Sequence, residues 1–113
     1  MEKNTELDAA FCPVTATMEV IRGKWKPIIL WRVCSGVHRF GELKRQIPGI
    51  TQKMLVQQLR ELEQDGILER RIFAEVPPRV EYTFSPFGRT LRPVLDAMCH
   101  WGEKHRPGGR GSE

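Results

Sequence analysis

Hydrophobic residues recur along this chain at helical spacing, and breaks at glycine or proline separate the segments that carry them. Val14, Met18 and Ile21 follow Pro13 at an i, i+4, i+7 spacing, which predicts a helix that ends at Gly23. The whole pattern predicts two helices, a very short strand, two more helices, a hairpin and a last helix. Their approximate bounds are residues 13–23, 24–34, 38–40, 41–47, 51–64, 68–84 and 85–105.

The centre of this pattern predicts a helix-turn-helix. Pro48 and Gly49 make a tight turn between the third and fourth helices, and Thr51 is a good N-cap for the fourth. The hairpin follows at once, with its tip at residues 76–79. A helix of this size fits the major groove of DNA, and a hairpin tip reaches toward the minor groove. We therefore predict a mainly α fold with a small β-hairpin, arranged as a winged helix-turn-helix.

The fourth helix is the predicted reading helix, and its two faces differ. Leu55, Leu59 and Leu62 lie within about 60° of one another at 100° per residue, so they form the buried stripe. Arginine and glutamine bind guanine and adenine edges in pairs of hydrogen bonds, and lysine attracts phosphate. A helix N-terminus also favours phosphate. The predicted DNA-binding residues are Thr51, Gln52, Lys53, Gln57 and Arg60 on this helix, and Arg79 at the hairpin tip. Gln64 lies on the same polar face. A solvated helix face and a solubilising charge on the hairpin are the alternatives.

The last helix carries a different pattern. Its apolar residues are spaced by 4, 3, 4 and 3, as in the seam of a coiled coil, and Leu95 widens the stripe formed by Phe87, Leu91, Val94, Met98 and Trp101. Such a seam is either core or an interface with a second copy. We favour the interface, because a domain this small has few apolar faces left and DNA readers of this class pair to match two half-sites. Pro93 predicts a kink or a late helix start near Arg92.

Composition fits a single soluble domain. The chain has 113 residues, of which 40% are hydrophobic and 28% charged, with a net charge of +4 that suits nucleic-acid binding without proving it. No run approaches the ~18 apolar residues of a membrane span, and residues 1–11 lack the order of a signal peptide, so we expect no membrane and a cytoplasmic protein. The ends predict a flexible arm at residues 1–11 and a disordered tail at 106–113, around one domain at residues 12–105.

Other chemistries find little support in the sequence. Cys12, Cys34 and Cys99 are an odd number without a close pair, so we predict neither a disulfide framework nor a metal site, and no cofactor. No Ser-His-Asp spacing, phosphate-binding glycine loop or carboxylate pair stands out, which argues against an enzyme. The remaining alternative is a winged-helix protein-interaction module without sequence-specific DNA binding. Salt-dependent binding to duplex DNA distinguishes it from a regulator.

Several motifs occur together in an order that resembles the HxlR family of regulators, related to MarR-like proteins. They are Cys-Pro-Val at 12–14, Gly-Lys-Trp at 23–25, Arg-Phe-Gly-Glu-Leu at 39–43, Leu-Arg-Glu-Leu at 59–62, Asp-Gly at 65–66, Val-Pro-Pro-Arg-Val-Glu-Tyr at 76–82 and Trp-Gly at 101–102. The resemblance covers about residues 12–105. It implies a homodimeric winged-helix repressor or activator on a pseudo-palindromic operator. Its dimer contacts would come from the first and last helices, with Val14 and Met18 in the first. Ser85-Pro86 departs from the Thr-Glu pair of many members, so the cap is kept and its carboxylate is lost.

The resemblance also implies a role for Cys12. In several members the cysteine before Pro-Val senses oxidants, quinones or aldehydes, so an oxidant or small-molecule inducer is expected. A helix N-terminus stabilises a thiolate, which supports sensing. No Arg or Lys lies close in sequence, and plain packing is the alternative. Cys34 and Cys99 lie on apolar helix faces and are predicted to be core residues.

Overall fold

The computed structural model describes residues 11–106, so the predicted arm and tail lie almost entirely outside the described residues. The elements follow the predicted order and confirm the fold class. They are α1 (Pro13–Ile21), α2 (Trp25–Cys34), α3 (Phe40–Gln46), α4 (Gln52–Gln64), β1 (Leu68–Phe73), β2 (Arg79–Phe84) and α5 (Arg92–His105), with a 3-10 turn at Gly88–Leu91 before α5. The short strand predicted at residues 38–40 is reduced to a single bridge between Arg39 and Glu81. None of the described helices is long and apolar enough to cross a membrane.

Local chemistry sets the ends of α4, the predicted reading helix. Gly49 has φ +87° and Gly66 has φ +76°, so each glycine turns the chain through a left-handed conformation that other residues rarely adopt. At the N-terminus the hydroxyl of Thr51 accepts a hydrogen bond from the amide of Met54 at 3.1 Å. The predicted N-cap is therefore confirmed, and both ends of α4 are fixed by the chain itself.

The core lies beneath α4. The stripe of Leu55, Leu59 and Leu62 is buried, as its spacing predicts. It packs with apolar residues of α1, α2, α3 and the turn after α3, namely Ile21, Ile29, Leu30, Val33, Leu43, Ile47 and Ile50. Ile67, Leu68 and Tyr82 join the hairpin to this cluster, and Leu95 joins α5 to it. One apolar core thus holds the helix-turn-helix, the hairpin and the last helix together.

The hairpin is tied to the helix-turn-helix by backbone hydrogen bonds. Its strands pair antiparallel, from Leu68 opposite Phe84 to Phe73 opposite Arg79. The amide of Tyr82 also donates to the carbonyl of His38 at 2.9 Å, just before α3. These bonds fix the direction in which the wing leaves the domain.

The approach to α5 differs from a continuous helix. The Ser85 hydroxyl accepts from the amide of Gly88 at 2.8 Å and donates to the carbonyl of Gly66 at 2.6 Å, so the cap survives without a following carboxylate. A 3-10 turn then precedes α5, which begins at Arg92 and confirms the late start predicted from Pro93. Phe87 therefore lies outside the last helix.

The predicted seam needs one correction on this helix. Leu95 is only 2% exposed and belongs to the core, because α5 packs on α2 through this residue. The exposed apolar face is therefore narrower than the sequence pattern predicts. Cys34 is half-buried against the core, as expected, and Cys99 is half-buried as well.

Candidate nucleic-acid interface

The polar face of α4 is exposed as a unit. Gln52, Lys53, Gln57 and Arg60 are all exposed, and they line one shallow depression together with Val56, Glu61 and Gln64. The leucine stripe on the opposite side fixes the rotation of α4 about its own axis, so these side chains project away from the core. The structure thus brings together four of the six predicted DNA-binding residues.

Thr51 has a different role from these four residues. Its hydroxyl caps α4, so its side chain is occupied by the helix itself. The cap orders the first turn, where the backbone amides of Gln52 and Lys53 have no partner within the helix. An N-terminus of this kind favours a phosphate. Thr51 therefore organises one end of the candidate interface.

A buried lysine supports the polar face from behind. Lys26 of α2 is 4% exposed, and its ammonium donates to Glu61 of α4. The other oxygen of Glu61 accepts from the side-chain amide of Gln57 at 3.4 Å. Hydrogen bonds from Lys26 and Gln57 hold the pKa of Glu61 below its usual value. Gln57, which is predicted to read a base, is thus held by hydrogen bonds that continue through Glu61 to Lys26 of α2.

This support was not predicted from the sequence, although the position of Lys26 carries a signal for it. Lys26 precedes Ile29 and Leu30 by three and four positions, which places it on the core side of α2. A lysine in that position needs a carboxylate partner, because burying an unpaired ammonium is costly. The spacing could have identified Lys26, but it could not have identified Glu61 as the partner.

Arg79 does not extend from the wing as a free finger. Its guanidinium lies 2.9 Å from a carboxylate oxygen of Glu75 and 3.0 Å from one of Glu81. It also lies 4.0 Å from the centre of the Phe73 ring, and only 26% of its side chain is exposed. Its Nε is buried without a hydrogen-bond partner among the described residues. Arg79 thus holds the two strands together near the wing tip.

Arg70 extends the basic surface and was not predicted from the sequence. It lies on β1 and lines a cleft of about 390 Å³ between α4 and the wing, together with Arg60, Val56 and Tyr82. Its guanidinium is 3.8 Å from a carboxylate oxygen of Glu63, and the side chain is 46% exposed. The sequence could not single out Arg70 from Arg71 by the alternation of buried and exposed residues along β1, because residues 69–72 are all exposed.

A second set of exposed side chains is apolar and comes from α1, from α5 and from the segment just before α5. Its exposed members are Val14, Met18, Phe87, Met98 and Trp101, and Leu91 and Val94 are half-buried beside them. Val14 is 69% exposed and Trp101 is 60% exposed, so these large apolar side chains are left uncovered in the single chain. We call these seven residues the apolar face.

Cys12 is exposed and immediately precedes α1. The neutral thiol makes no capping hydrogen bond. The hydroxyl of Thr15 and the amides of Thr15 and Val14 stabilise the thiolate, so the pKa of Cys12 is lowered. Burial raises the pKa of Cys34 and of Cys99, and the carboxylate of Glu103 adds to the effect on Cys99. Of the described cysteines, Cys12 is therefore the one that forms a thiolate most readily.

Comparisons with known proteins agree with this architecture. A family model described as HxlR-like helix-turn-helix matches residues 20–109. The HTH-type transcriptional regulator YtcD of Bacillus subtilis is 55% identical over 92 residues, which span 81% of this chain and 73% of YtcD. The solved structure of the redox regulator HypR in its reduced form is 50% identical, with a TM-score of 0.80, and the match covers 85% of this chain and 95% of HypR. The oxidised form of HypR is 52% identical, with a TM-score of 0.78, and the match covers 82% of this chain and 96% of HypR.

These similarities cover nearly all of the described residues, and the similar proteins are transcriptional regulators. They confirm the prediction from the sequence that the protein is a regulator and not an enzyme. The extent of the family match also confirms the resemblance read from the motifs. The chain belongs to the HxlR-like helix-turn-helix family and is a transcriptional regulator.

Proposed function

We propose that two copies of this chain bind a pseudo-palindromic site in duplex DNA, with α4 of each copy in a major groove. The observation that carries the proposal is the exposed polar face of α4, where Gln52, Lys53, Gln57 and Arg60 project together from a helix fixed by its own core. The widths of a helix and of the major groove match. Such a protein would act in the cytoplasm, on the nucleoid.

The side chains of this face have separable roles. Arg60 has no ion-pair partner among the described residues, so its guanidinium is free to bind a guanine edge. Gln57 is oriented by Glu61 and reads an adenine edge. Lys53 and the first turn of α4 bind phosphate, which positions the helix without reading sequence.

The wing orients the protein along the DNA. Arg70 lies beside Arg60 in the cleft between α4 and β1, so it extends the positive charge from the reading helix to the hairpin. Arg79 shapes the hairpin through Glu75 and Glu81, and we assign it this positioning role in place of a direct insertion into the minor groove.

The apolar face provides the contact between copies. Large apolar side chains of α1 and α5 are exposed in the single chain, and burying them stabilises association by about 25 cal/mol per Å² of apolar area. A two-fold pair through this face would place two copies of α4 about 34 Å apart, which matches one turn of duplex DNA. Pairing is thus a requirement of the proposed operator symmetry.

Cys12 makes the pair responsive to oxidants. It lies two residues before Val14 of the apolar face, it is exposed, and its pKa is lowered. The thiolate attacks a peroxide oxygen, so a sulfur–oxygen bond forms, the oxygen–oxygen bond breaks and hydroxide leaves. The thiol of Cys12 in the second copy then displaces water from the sulfenic acid and forms a disulfide. The similar regulator HypR has reduced and oxidised forms, which supports a redox role here.

The test is a selection of bound sequences from random duplex DNA, followed by titration of the selected duplex at several salt concentrations. Neutralising Z phosphates gives a slope of log affinity against log salt of about −0.9Z, so a steep negative slope is expected. A protein-interaction module would enrich no sequence. Peroxide treatment of wild type and of Cys12→Ser, followed by the same titration, tests the sensor. A change of DNA affinity in wild type alone supports Cys12 as the oxidant sensor. Equal responses of the two proteins would exclude Cys12 from this role.

A further inference from the structure

An apolar cleft of about 400 Å³ lies away from the reading face. It opens between α2, the turn that follows α3, and α5. Its walls include Trp25, Ile28 and Trp31 of α2, Pro48 of the turn, and Leu95 of α5. Clefts of roughly 300–1,000 Å³ with apolar and aromatic walls are typical of small-molecule sites. The residues of this cleft take no part in the DNA contacts proposed above.

The described charged residues at this cleft have one sign. Lys24 and Arg32 line it, and no carboxylate of residues 11–106 does. Neither cation forms an ion pair with another residue of the described range, 11–106. The ammonium of Lys24 lies 4.7 Å from the centre of the Trp25 ring, so it is held at the cleft by a cation–π contact. The cleft therefore offers apolar walls and uncompensated positive charge.

We propose that this cleft binds a flat aromatic molecule that carries one carboxylate. Indole rings favour offset contacts with an aromatic ring, and the guanidinium of Arg32 forms charge-assisted hydrogen bonds with a carboxylate. A neutral aromatic molecule would leave both cations unpaired, and a purely polar anion would leave the apolar walls unfilled. The positive charge of the cleft thus favours the carboxylate of the ligand, and the aromatic walls favour its flat ring.

The position of the cleft connects the ligand to DNA binding, and this consequence rests on the proposed function. The ring of Trp25 lies 3.7 Å from where a Cβ on Gly49 would be, so this wall contacts the turn that leads into α4. The opposite wall includes Met98 of the apolar face. A ligand in the cleft therefore contacts both the reading unit and the pairing helix. If the ligand binds the DNA-bound protein and the free protein with different affinities, then it changes the affinity for DNA by the same factor.

The direct test is calorimetric titration of the full-length protein, without DNA, with 1-naphthoate and with its neutral analogue 1-naphthamide. We expect one naphthoate per chain and an affinity about tenfold or more above that of the amide, since one charge-assisted hydrogen bond contributes roughly 1.5–3 kcal/mol. The double variant Lys24→Gln/Arg32→Gln should bind the two probes alike. Lys44→Gln/Arg45→Gln removes the same charge from α3 and should keep the preference. Thermal unfolding verifies that both variants remain folded.

Equal binding of the acid and the amide by wild type, or no naphthoate binding at millimolar concentration, would overturn the proposal. An affinity for naphthoate that falls as protein concentration rises would show that a second copy fills the cleft, and would overturn it as well. Titration of the selected duplex with and without naphthoate then tests the coupling, and an unchanged DNA affinity would refute that part. If no duplex is selected at all, the proposed function fails, whereas the calorimetric result still decides the cleft.

Discussion

The ammonium of Lys26 on α2 is buried behind the reading helix and donates a hydrogen bond to the carboxylate of Glu61 on α4. The same carboxylate accepts a hydrogen bond from Gln57, which lies on the proposed DNA-binding face. The pair therefore joins the rotation of α4 to the position of α2. The buried ammonium of Lys26, on the core side of α4, thus orients Gln57 on the proposed DNA-binding face through Glu61.

The first prediction concerns the stability that this pair contributes. Glu61→Gln should lower the free energy of unfolding, because it leaves the buried Lys26 ammonium without its anionic partner. Glu63→Gln is the matched control, since Glu63 lies two residues away and has only a 3.8 Å contact with exposed Arg70. Urea unfolding at pH 7 measures both variants. A loss for Glu63→Gln as large as that for Glu61→Gln would contradict the assignment.

The same pair sets a pH dependence. The folded-state pKa of Glu61 lies below its unfolded value of about 4.3, so its contribution is fully present above that value. The contribution is lost as pH falls through the lower, folded-state pKa. The difference between wild type and Glu61→Gln should therefore be largest at neutral pH and shrink below about pH 4. Unfolding curves at pH 7, 5 and 3.5 measure this difference, and an unchanged gap at all three would exclude the linkage.

A pair of glycines tests the approach to α5. A Cβ on Gly88 would lie 2.0 Å from the carbonyl oxygen of Ile67, which is backbone and cannot move aside easily. Gly88→Ala should therefore cost about 1–3 kcal/mol or more. A Cβ on Gly102 meets nothing within 4 Å of the described chain, so Gly102→Ala in α5 should be neutral or stabilise by about 0.5–1 kcal/mol. Thermal or urea unfolding compares them, and equal effects would be inconsistent with this packing.

The apolar face predicts the oligomeric state. Met98→Asp places a carboxylate on the exposed apolar side of α5 and should dissociate the pair, because an unpaired charge is costly to bury at an interface. His100→Asp is the matched control, since His100 lies about 200° from Met98 around the helix. Sedimentation at micromolar concentration should show a monomer for the first variant and a dimer for the second. A wild-type monomer under these conditions would refute pairing.

Cysteine reactivity gives a prediction with a defined sign. The pKa of Cys12 is lowered, whereas the pKa values of Cys34 and Cys99 are raised. Because the thiolate is the nucleophile, alkylation of Cys12 by iodoacetamide should reach half its maximal rate at a lower pH than alkylation of the other two cysteines. Mass spectrometry of timed digests measures each site. If Cys99 reacts as fast as Cys12 at pH 7, the proposed sensor loses its chemical basis.

Much of the fold could be predicted because it depends on local sequence. The leucine stripe of α4 follows from spacing, the cap from Thr51, and the late start of α5 from Pro93. Each is decided within a few residues along the chain. The exposed polar residues of α4 followed from the same stripe, since fixing its buried side also fixes the opposite side.

The remaining features depend on residues that are distant in sequence. Lys26 and Glu61 are 35 residues apart, and their contact exists only after α2 packs on α4. The ion pairs of Arg79 with Glu75 and Glu81 form only in the folded hairpin, so its pairing within the wing could not be predicted from the sequence. Leu95 widens the apolar stripe of the last helix in the sequence, and only the packing of α5 on α2 places it in the core. Tertiary geometry decides all three.

Affinity measurements of Arg60→Ala and wild type, on the selected duplex and on its single-base variants, test whether α4 reads DNA sequence through Arg60. We expect a loss of about 1–3 kcal/mol on the selected site and relaxed preference at one symmetric pair of positions. Lys53→Ala should weaken all duplexes alike, and Arg89→Ala, on the exposed 3-10 turn, should change little. An Arg60→Ala protein that binds every duplex as wild type does would contradict the claim.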